Sequence, residues 1–379
     1  MFSLIRLVAS CAVLIAPRGE ANFAIDSATF AVIGDYGSGT AAEESVATMI
    51  SLWSPDFIVT TGDNSYGSNP IDFNIGQFYS NYIGAYTGVY GQGSDTNRFL
   101  PSPGNHDYSD GGGFGAYLNY FTLPGEGVSS SMTSGNERYY DIVMGPIHFF
   151  IVNSNYQEPD GNDDVSFQAQ WLESQLATSS APWKIVVMHH APYSSSTSHG
   201  STPVMQWPYE EWGADLVLAG HDHTYERIHR DDDGDGNQFI YFVNGLGGRS
   251  IYGFPYSGFV EGSAVRYNGN YGAMLVEGTA DWLRCSFWSI SDFPSGILID
   301  SITLVNKDFC CNLAGDADSN GKINVLDITF LIAYLYNNTT GSFCPDEMNA
   351  DGEGSINMVD LMRLIDFMYR GGINPLCPL

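Results

Sequence analysis

Five short segments of this sequence carry side chains suited to holding metal ions. They are Gly34-Asp35-Tyr36-Gly37, Gly62-Asp63-Asn64-Ser65-Tyr66, Gly104-Asn105-His106-Asp107, Met188-His189-His190 and Gly220-His221-Asp222-His223. Two hard or borderline cations held a few ångströms apart need bridging and terminal oxygens together with imidazoles, and Asp, Asn, Tyr and His supply that set. A phenolate from Tyr66 favours a trivalent iron at one position, because a hard, strongly Lewis-acidic ion holds tyrosine deprotonated near neutral pH; the second ion is then divalent. Taken singly, each segment has a plainer account. Gly-Asp or Gly-Asn after a strand is usually a turn, alternate histidines share one side of an extended segment, and a lone tyrosine packs as an aromatic. Turn chemistry does not explain why five such segments each follow an apolar run.

Those runs are the elements that must position the ligands. Phe30 to Ile33, Phe57 to Thr60, His148 to Val152, Ile185 to Met188, Leu216 to Ala219 and Phe239 to Val243 read as strands; Ala41 to Leu52 and Phe167 to Ala177 read as helices, with a further helix expected before Trp212. The alternation predicts an α/β layered domain. In open α/β sheets ligands gather at the carboxyl ends of strands, so side chains far apart in sequence can converge there. Glycine immediately before a ligand is expected to let the backbone turn tightly. Ser68 to Asn97 and Gly111 to Asn136 read as long loops that shape a binding site.

In their order, Asp35, Gly62-Asp63-Asn64-Ser65-Tyr66, Gly104-Asn105-His106-Asp107, Val187-Met188-His189-His190 and Gly220-His221-Asp222-His223 resemble the signature of the purple acid phosphatases, the group that includes the tartrate-resistant acid phosphatases. The resemblance spans most of residues 30 to 300, including Arg138 to Asp141, Gly145 to Phe149, Gln168 to Leu172 and Tyr225 to Arg227. It implies a metallophosphoesterase β-sandwich flanked by helices over residues 28–306. It also implies that Asp35, Tyr66 and His223 hold Fe3+, that Asn105, His190 and His221 hold Fe2+, Zn2+ or Mn2+, and that Asp63 bridges the two. Both His189 and His190 satisfy the Val-x-x-His pattern, since Val186 and Val187 are both valine; the spacing to Pro192 and His199 favours His190. The implied activity is hydrolysis of phosphomonoesters at mildly acidic pH by a hydroxide held on the metals, with His106 and His199 as candidate proton donors or phosphate-stabilising groups. A phosphodiesterase or nucleotide-cleaving enzyme is the alternative within hydrolases, because ligands alone do not set substrate size.

The 379 residues suffice for one large and one small domain, with 44% hydrophobic and 14% aromatic residues to fill a core. Arg6 before the apolar run Leu7 to Ala16 and small residues around Ala21 to Ala24 predict a signal peptide over residues 1–24, hence a secreted, extracellular or periplasmic protein. The same run is too short for a membrane span. A net charge of −29, from 43 acidic against 14 basic residues, argues against a nucleic-acid partner and leaves small phosphate esters as the expected substrates. Asp231 to Asn237 alternates carboxylates like a calcium loop but has Phe242 where the twelfth position needs an acid, so a hairpin turn is expected.

Residues 312–379 differ in kind. Cys311 to Tyr336 and Cys344 to Tyr369 match at a period of 33 with ten identities. Each copy places oxygen ligands at positions one, three, five, nine and twelve of a loop: Asp316, Asp318, Asn320, Asn324 and Asp327, then Asn349, Asp351, Glu353, Asn357 and Asp360. Helices with the apolar stripes Ile328, Leu331, Ile332, Leu335 and Leu361, Leu364, Ile365, Met368 are expected to follow the loops. Asp at position twelve, with no helical pattern before either loop, makes this small EF-hand-like, α-helical module resemble a type I dockerin. That resemblance implies Ca2+ and a cohesin-type protein partner; a calcium-stapled module with no partner is the other reading, and a surface-attached protein working through this tail is the non-enzymatic one. Cys310, Cys311, Cys344 and Cys377 suggest disulfides with three connectivities open, while Cys285 reads as a core thiol.

Overall fold

A computed structural model of the chain describes residues 27–124, 134–231, 238–306, 313–337, 344–352 and 355–376. The expected signal peptide, Glu353, Cys310, Cys311, Cys377 and most of the Asp231 to Asn237 turn lie outside the described residues. In chain order the elements begin with β1 (Ser27–Ile33), α1 (Ala41–Trp53), β2 (Phe57–Thr60), α2 (Ile71–Tyr79), β3 (Phe99–Pro101), α3 (Asn105–Ser109) and α4 (Phe114–Tyr120). They continue through β4 (Tyr140–Met144), β5 (Ile147–Ile151), α5 (Phe167–Thr178), β6 (Trp183–His190), β7 (Leu216–Gly220), β8 (Tyr225–Arg230) and β9 (Phe239–Asn244). Four antiparallel strands close the larger region, β10 (Ser263–Tyr267), β11 (Gly272–Thr279), β12 (Trp282–Ser289) and β13 (Ile297–Val305), before α6 (Val325–Asn337), α7 (Pro345–Met348) and α8 (Met358–Arg370).

The described strands form two sheets, ordered β13-β12-β11-β1-β2-β3 and β10-β8-β9-β7-β6-β5-β4. Alternation along the second sheet explains why its strands read as unbroken apolar runs. Phe149, Ile151, Ile185, Val187, Leu216, Leu218 and Phe242 pack with Phe30, Val32 and Phe57 of the first sheet in one core. Their neighbours Phe150, Val186, Met188, Val217 and Val243 join Ala169, Leu172 and Leu176 of α5 in another. Both faces are covered, as parallel strands require. Phe30 lies 5.0 Å from Phe57 and meets Phe149 edge-on at 5.2 Å, tying the two sheets together at the centre. β1 and β2 run parallel, as do β6 and β7, so their carboxyl ends share one edge of the sandwich.

Three expectations need correction. No α-helix precedes Trp212: the chain forms a short 3-10 turn at Pro203–Met205 and then turns, since Pro203 and Pro208 lack the N–H a helix needs while Met205, Trp207 and Tyr209 are drawn into the second core. The 68–97 stretch contains α2, and the 111–136 stretch contains α4. Both are short and carry Gly76 or Gly115 inside, so tertiary contacts rather than propensity hold them: Ile75, Tyr79 and Tyr117 are buried, and the Tyr117 hydroxyl donates to the Pro101 carbonyl at 2.9 Å. In the C-terminal region α6 packs on α8, burying Leu331 and Leu361 with Ala317 and Met348. Ile332, within the apolar stripe of α6, is 41% exposed.

Candidate metal centre

The five segments meet at the shared edge. Asp35 follows β1, Asp63 follows β2, Asn105 and His106 open α3, His189 and His190 end β6, and His221 and His223 follow β7. Asp35, Asp63 and His221 all adopt positive φ, at 54°, 52° and 70°, a costly backbone that the surrounding structure must impose. Gly62, before Asp63, has the positive φ of the expected turn, whereas Gly34, Gly104 and Gly220 have a different task. A Cβ on Gly34 would stand 2.0 Å from Thr61 Oγ1, one on Gly104 2.2 Å from Asp63 Oδ1, and one on Gly220 2.7 Å from Asp35 Oδ2. These three glycines let the ligand segments crowd together; among the four glycines, Gly62 alone has positive φ, 91°.

Asp63 lies at the middle. Its Oδ2 accepts from the Tyr66 hydroxyl at 2.9 Å, and its Oδ1 accepts from the His106 N–H at 2.8 Å and faces His189 Nε2 at 3.3 Å. On the Oδ2 side, Tyr66 also donates to Asp35 Oδ1 at 3.2 Å and meets His223 Nε2 at 3.3 Å. On the Oδ1 side, His189 Nε2 stands 3.0 Å from Asn105 Oδ1 and 3.1 Å from His221 Nδ1. Six of the seven residues expected to hold metal thus fall into two half-sites around one carboxylate.

The seventh differs. His189, not His190, has the contacts of the second half-site: its Nδ1–H donates to the Thr61 carbonyl at 2.8 Å, which aims Nε2 at Asp63, Asn105 and His221. His190 turns its Nδ1 to Ser154 Oγ at 2.8 Å and lies beside the cluster, its ring 4.4 Å from that of His221. A register shift in β6 between Val187 and His190 keeps the two imidazoles on the same edge, 5.0 Å apart, yet of the two only His189 has polar contacts with Asp63 and Asn105. Spacing to Pro192 carries no information about that register shift. His189, His190 and His221 still bring ligand atoms within 4.8 Å of one another, as do Asp35, Asp63 and His189.

The electrostatics fit cations. Although burial favours the neutral acid, His189 and His106 hold the Asp63 carboxyl well below the usual range. Burial opposes the charged form of His189, but Asp63 outweighs it and lifts the imidazole to about 9. Burial and the neighbouring His189 push His190 down to about 3 and His221 lower still, leaving neutral imidazoles with free lone pairs. Burial, with Asp35 and Asp63, raises the Tyr66 phenol. Oxygens of Asp35 and Asp63 lie within 3.2 Å of the Tyr66 oxygen and repel it once it is ionised, and a bound cation removes that repulsion. The donor set therefore fits the expected ions.

Both candidate proton-handling histidines lie at the rim. His106 bonds Asp110 through Nδ1 at 2.7 Å, its ring is 4.4 Å from that of Tyr66, and its side chain is 38% exposed. His199 stacks on His221 at 3.9 Å. The Asp222 carboxylate fixes its loop by accepting from the His199 N–H at 3.1 Å, the Gly200 N–H at 3.0 Å and the Ser194 hydroxyl at 2.6 Å. Several supporting residues escaped the sequence reading. Ser250 Oγ meets His223 Nδ1 at 2.5 Å, Tyr252 stacks on His223 at 4.0 Å, and Asn74 of α2 donates to the Ser65 hydroxyl and the Tyr66 carbonyl. Ser250 and Tyr252 lie more than 25 residues from His223 and Asn74 lies eight from Tyr66, and no motif marks any of them.

In the C-terminal region Asp316, Asp318 and Asp327 place oxygens within 4.8 Å of one another. Asp327 accepts from the Asp318 and Asn324 N–H groups, and Asp360 repeats this with Asp351 and Asn357 one period later. Asp318 Oδ1 is buried with no hydrogen-bond partner among the described residues, an orphan that a calcium ion would satisfy. Cys344 is disulfide-bonded, and Cys285 is free and buried.

Comparison with known proteins adds three findings. The model of the calcineurin-like phosphoesterase family matches residues 28–225, and that of the type I dockerin domain matches residues 314–368. Among curated proteins the chain is similar to Purple acid phosphatase 17 of Arabidopsis thaliana, 29% identical over 257 residues, covering 60% of this chain and 70% of that protein. An uncharacterized protein of Mycobacterium tuberculosis is 28% identical over 151 residues, which span 35% of this chain and 28% of that one. Among solved structures, the purple acid phosphatase PPD1 from yellow lupin (Lupinus luteus) seeds shares the fold with a TM-score of 0.57 at 18% identity, over 74% of this chain and 54% of that one.

Proposed function

Because the chain belongs to the calcineurin-like phosphoesterase family, we propose that it is an exported phosphatase with a two-metal centre that hydrolyses phosphomonoesters. The observation that carries this reading is the Asp63 carboxylate, with one oxygen facing Asp35, Tyr66 and His223 through Tyr66 and the other facing His189 and, through it, Asn105 and His221. In this reading Asp35, Tyr66 and His223 hold a ferric ion, Asn105, His189 and His221 a divalent one, and Asp63 bridges them. When bound, such a pair supplies a water of lowered pKa and a clamp on phosphate oxygens.

The chain's own residues do the rest. Thr61 and Ser250 orient the imidazoles of His189 and His223 through their second nitrogens. Asp110 holds the His106 Nδ1, so that Nε2, 4.0 Å from Asp63, is presented to the site as the proton donor for the leaving alkoxide. Asp222 anchors the loop that keeps His199 over His221, which in this reading serves to stabilise the substrate's phosphate oxygens. The type I dockerin-like segment, with Ca2+ in its two loops, attaches the enzyme to a cohesin-type partner outside the cell; the disulfide at Cys344 supports an oxidising compartment.

Metal analysis, a visible spectrum and turnover of p-nitrophenyl phosphate test the reading on the wild type and Asp63→Asn. About two transition metals per chain, a tyrosinate band and a loss of roughly 100-fold or more in kcat/KM in the variant are expected. Turnover without iron removes the ferric assignment, and no metal with no turnover overturns the whole reading.

A further inference from the structure

The segment between β9 and β10 folds over the centre and is pinned to it by its backbone. Gly247 N–H donates to the Gly34 carbonyl at 2.9 Å, Arg249 N–H to the Asp35 carbonyl at 3.1 Å, and Tyr252 N–H to the His223 carbonyl at 3.0 Å. The Cα of Arg249 is therefore held beside two ligand-bearing segments. Its side chain is exposed and makes no ion pair among the described residues, and its guanidinium carbon lies 5.0 Å from the centre of the Tyr66 ring. Among the described residues no other arginine or lysine is in ring or hydrogen-bond contact with a proposed metal ligand.

Arg227 pairs with Asp300 at 2.7 Å and Arg138 with Glu158 at 2.9 Å, and Arg98 and Arg266, which also stack on aromatic rings, spend their N–H donors on backbone and hydroxyl oxygens. Arg249 rests on an aromatic face, which orients the guanidinium plane and leaves its N–H donors unspent. A planar fork of donors matches the oxygens of a phosphate, and a full positive charge favours the dianion of a monoester over the monoanion of a diester. We infer that Arg249 contacts the non-bridging oxygens of the substrate phosphate from the Tyr66 side of the site and contributes to selectivity for monoesters. This inference rests on the phosphatase reading above.

The test uses the metal-loaded full chain and the variants Arg249→Met and Arg249→Lys, each checked for an unchanged melting temperature. Inorganic phosphate is titrated by calorimetry, and p-nitrophenyl phosphate and bis-p-nitrophenyl phosphate are assayed in parallel. Arg249→Met is expected to weaken phosphate binding and raise KM for the monoester by roughly tenfold, with a smaller effect on kcat and on the diester. Arg249→Lys recovers part of the loss, and the tyrosinate band shifts in the methionine variant because a cation leaves the Tyr66 ring. Phosphate affinity and monoester KM within twofold of wild type in both variants overturn the inference while leaving the phosphatase reading intact. A wild type that neither binds phosphate nor turns over either ester overturns both.

Discussion

At the scale of single residues, the pair His189-His190 shows how a one-residue shift separates a proposed ligand from its neighbour. His189 is fully buried, is held by the Thr61 carbonyl and points at Asp63; His190, the choice that spacing favours, lies beside it with its Nδ1 turned to Ser154. Replacing each by alanine tests the choice. His189→Ala should reduce the bound transition metals from about two per chain to about one and abolish most turnover, whereas His190→Ala should keep the stoichiometry and lose roughly tenfold or less in kcat/KM. Elemental analysis decides it, and the reverse pattern returns the role to His190. The glycines make the same point about crowding. Their motif positions are readable, but the atoms that a Cβ would strike belong to segments tens of residues away.

Among the elements, the link between β8 and β13 joins the two sheets through one carboxylate. Asp300 accepts from the Tyr225 hydroxyl at 2.8 Å and from Arg227 Nε at 2.7 Å and Nη2 at 3.1 Å, and its side chain is 8% exposed. Burial alone would raise its carboxyl, but Arg227 and Tyr225 outweigh burial and hold it below the ordinary value. A depressed native pKa means that this contribution is present above the unfolded pKa, about 3.9, and is lost as pH falls through the native one. Asp300→Asn should therefore cost about 1.5–3 kcal/mol near pH 7, with the difference from wild type shrinking toward pH 3. Urea unfolding at several pH values reads this directly, and a cost independent of pH would remove the charged pair from the account. Elements within the long loops were hidden for another reason: α2 and α4 contain residues poor in helix propensity, and only their burial against the first core stabilises them.

For the molecule as a whole, the proposed metal centre and the proposed calcium loops draw on different ligand chemistry and on separate hydrophobic clusters. Calcium removal should accordingly affect one and spare the other. With EGTA, the C-terminal region is expected to lose several kcal/mol of stability, about 4 kcal/mol where free calcium had stood at 1,000 times its dissociation constant, while turnover of p-nitrophenyl phosphate stays within twofold. Circular dichroism melting alongside the assay checks both halves, and a parallel collapse of turnover would contradict the separation. The charge of −29 makes the same loops sensitive to ionic strength, since screening weakens the field that draws cations in.

What the amino-acid sequence determined by itself was the chemistry and the order of the strands that carry it. Ligand types after the apolar runs Phe30 to Ile33, Phe57 to Thr60 and Leu216 to Ala219, the 33-residue repeat, and α1 and α5 were all legible, because strand ends, helical periodicity and loop spacing are local properties of a chain. The tertiary structure alone decided which histidine of the pair faces Asp63, why glycine precedes the proposed ligands, that Arg249 folds back over Asp35 and Tyr66 some 200 positions earlier, and that Ser250 and Tyr252 flank His223. Those outcomes depend on strand register and close approach between distant segments, and such contacts exist only once the two sheets have packed.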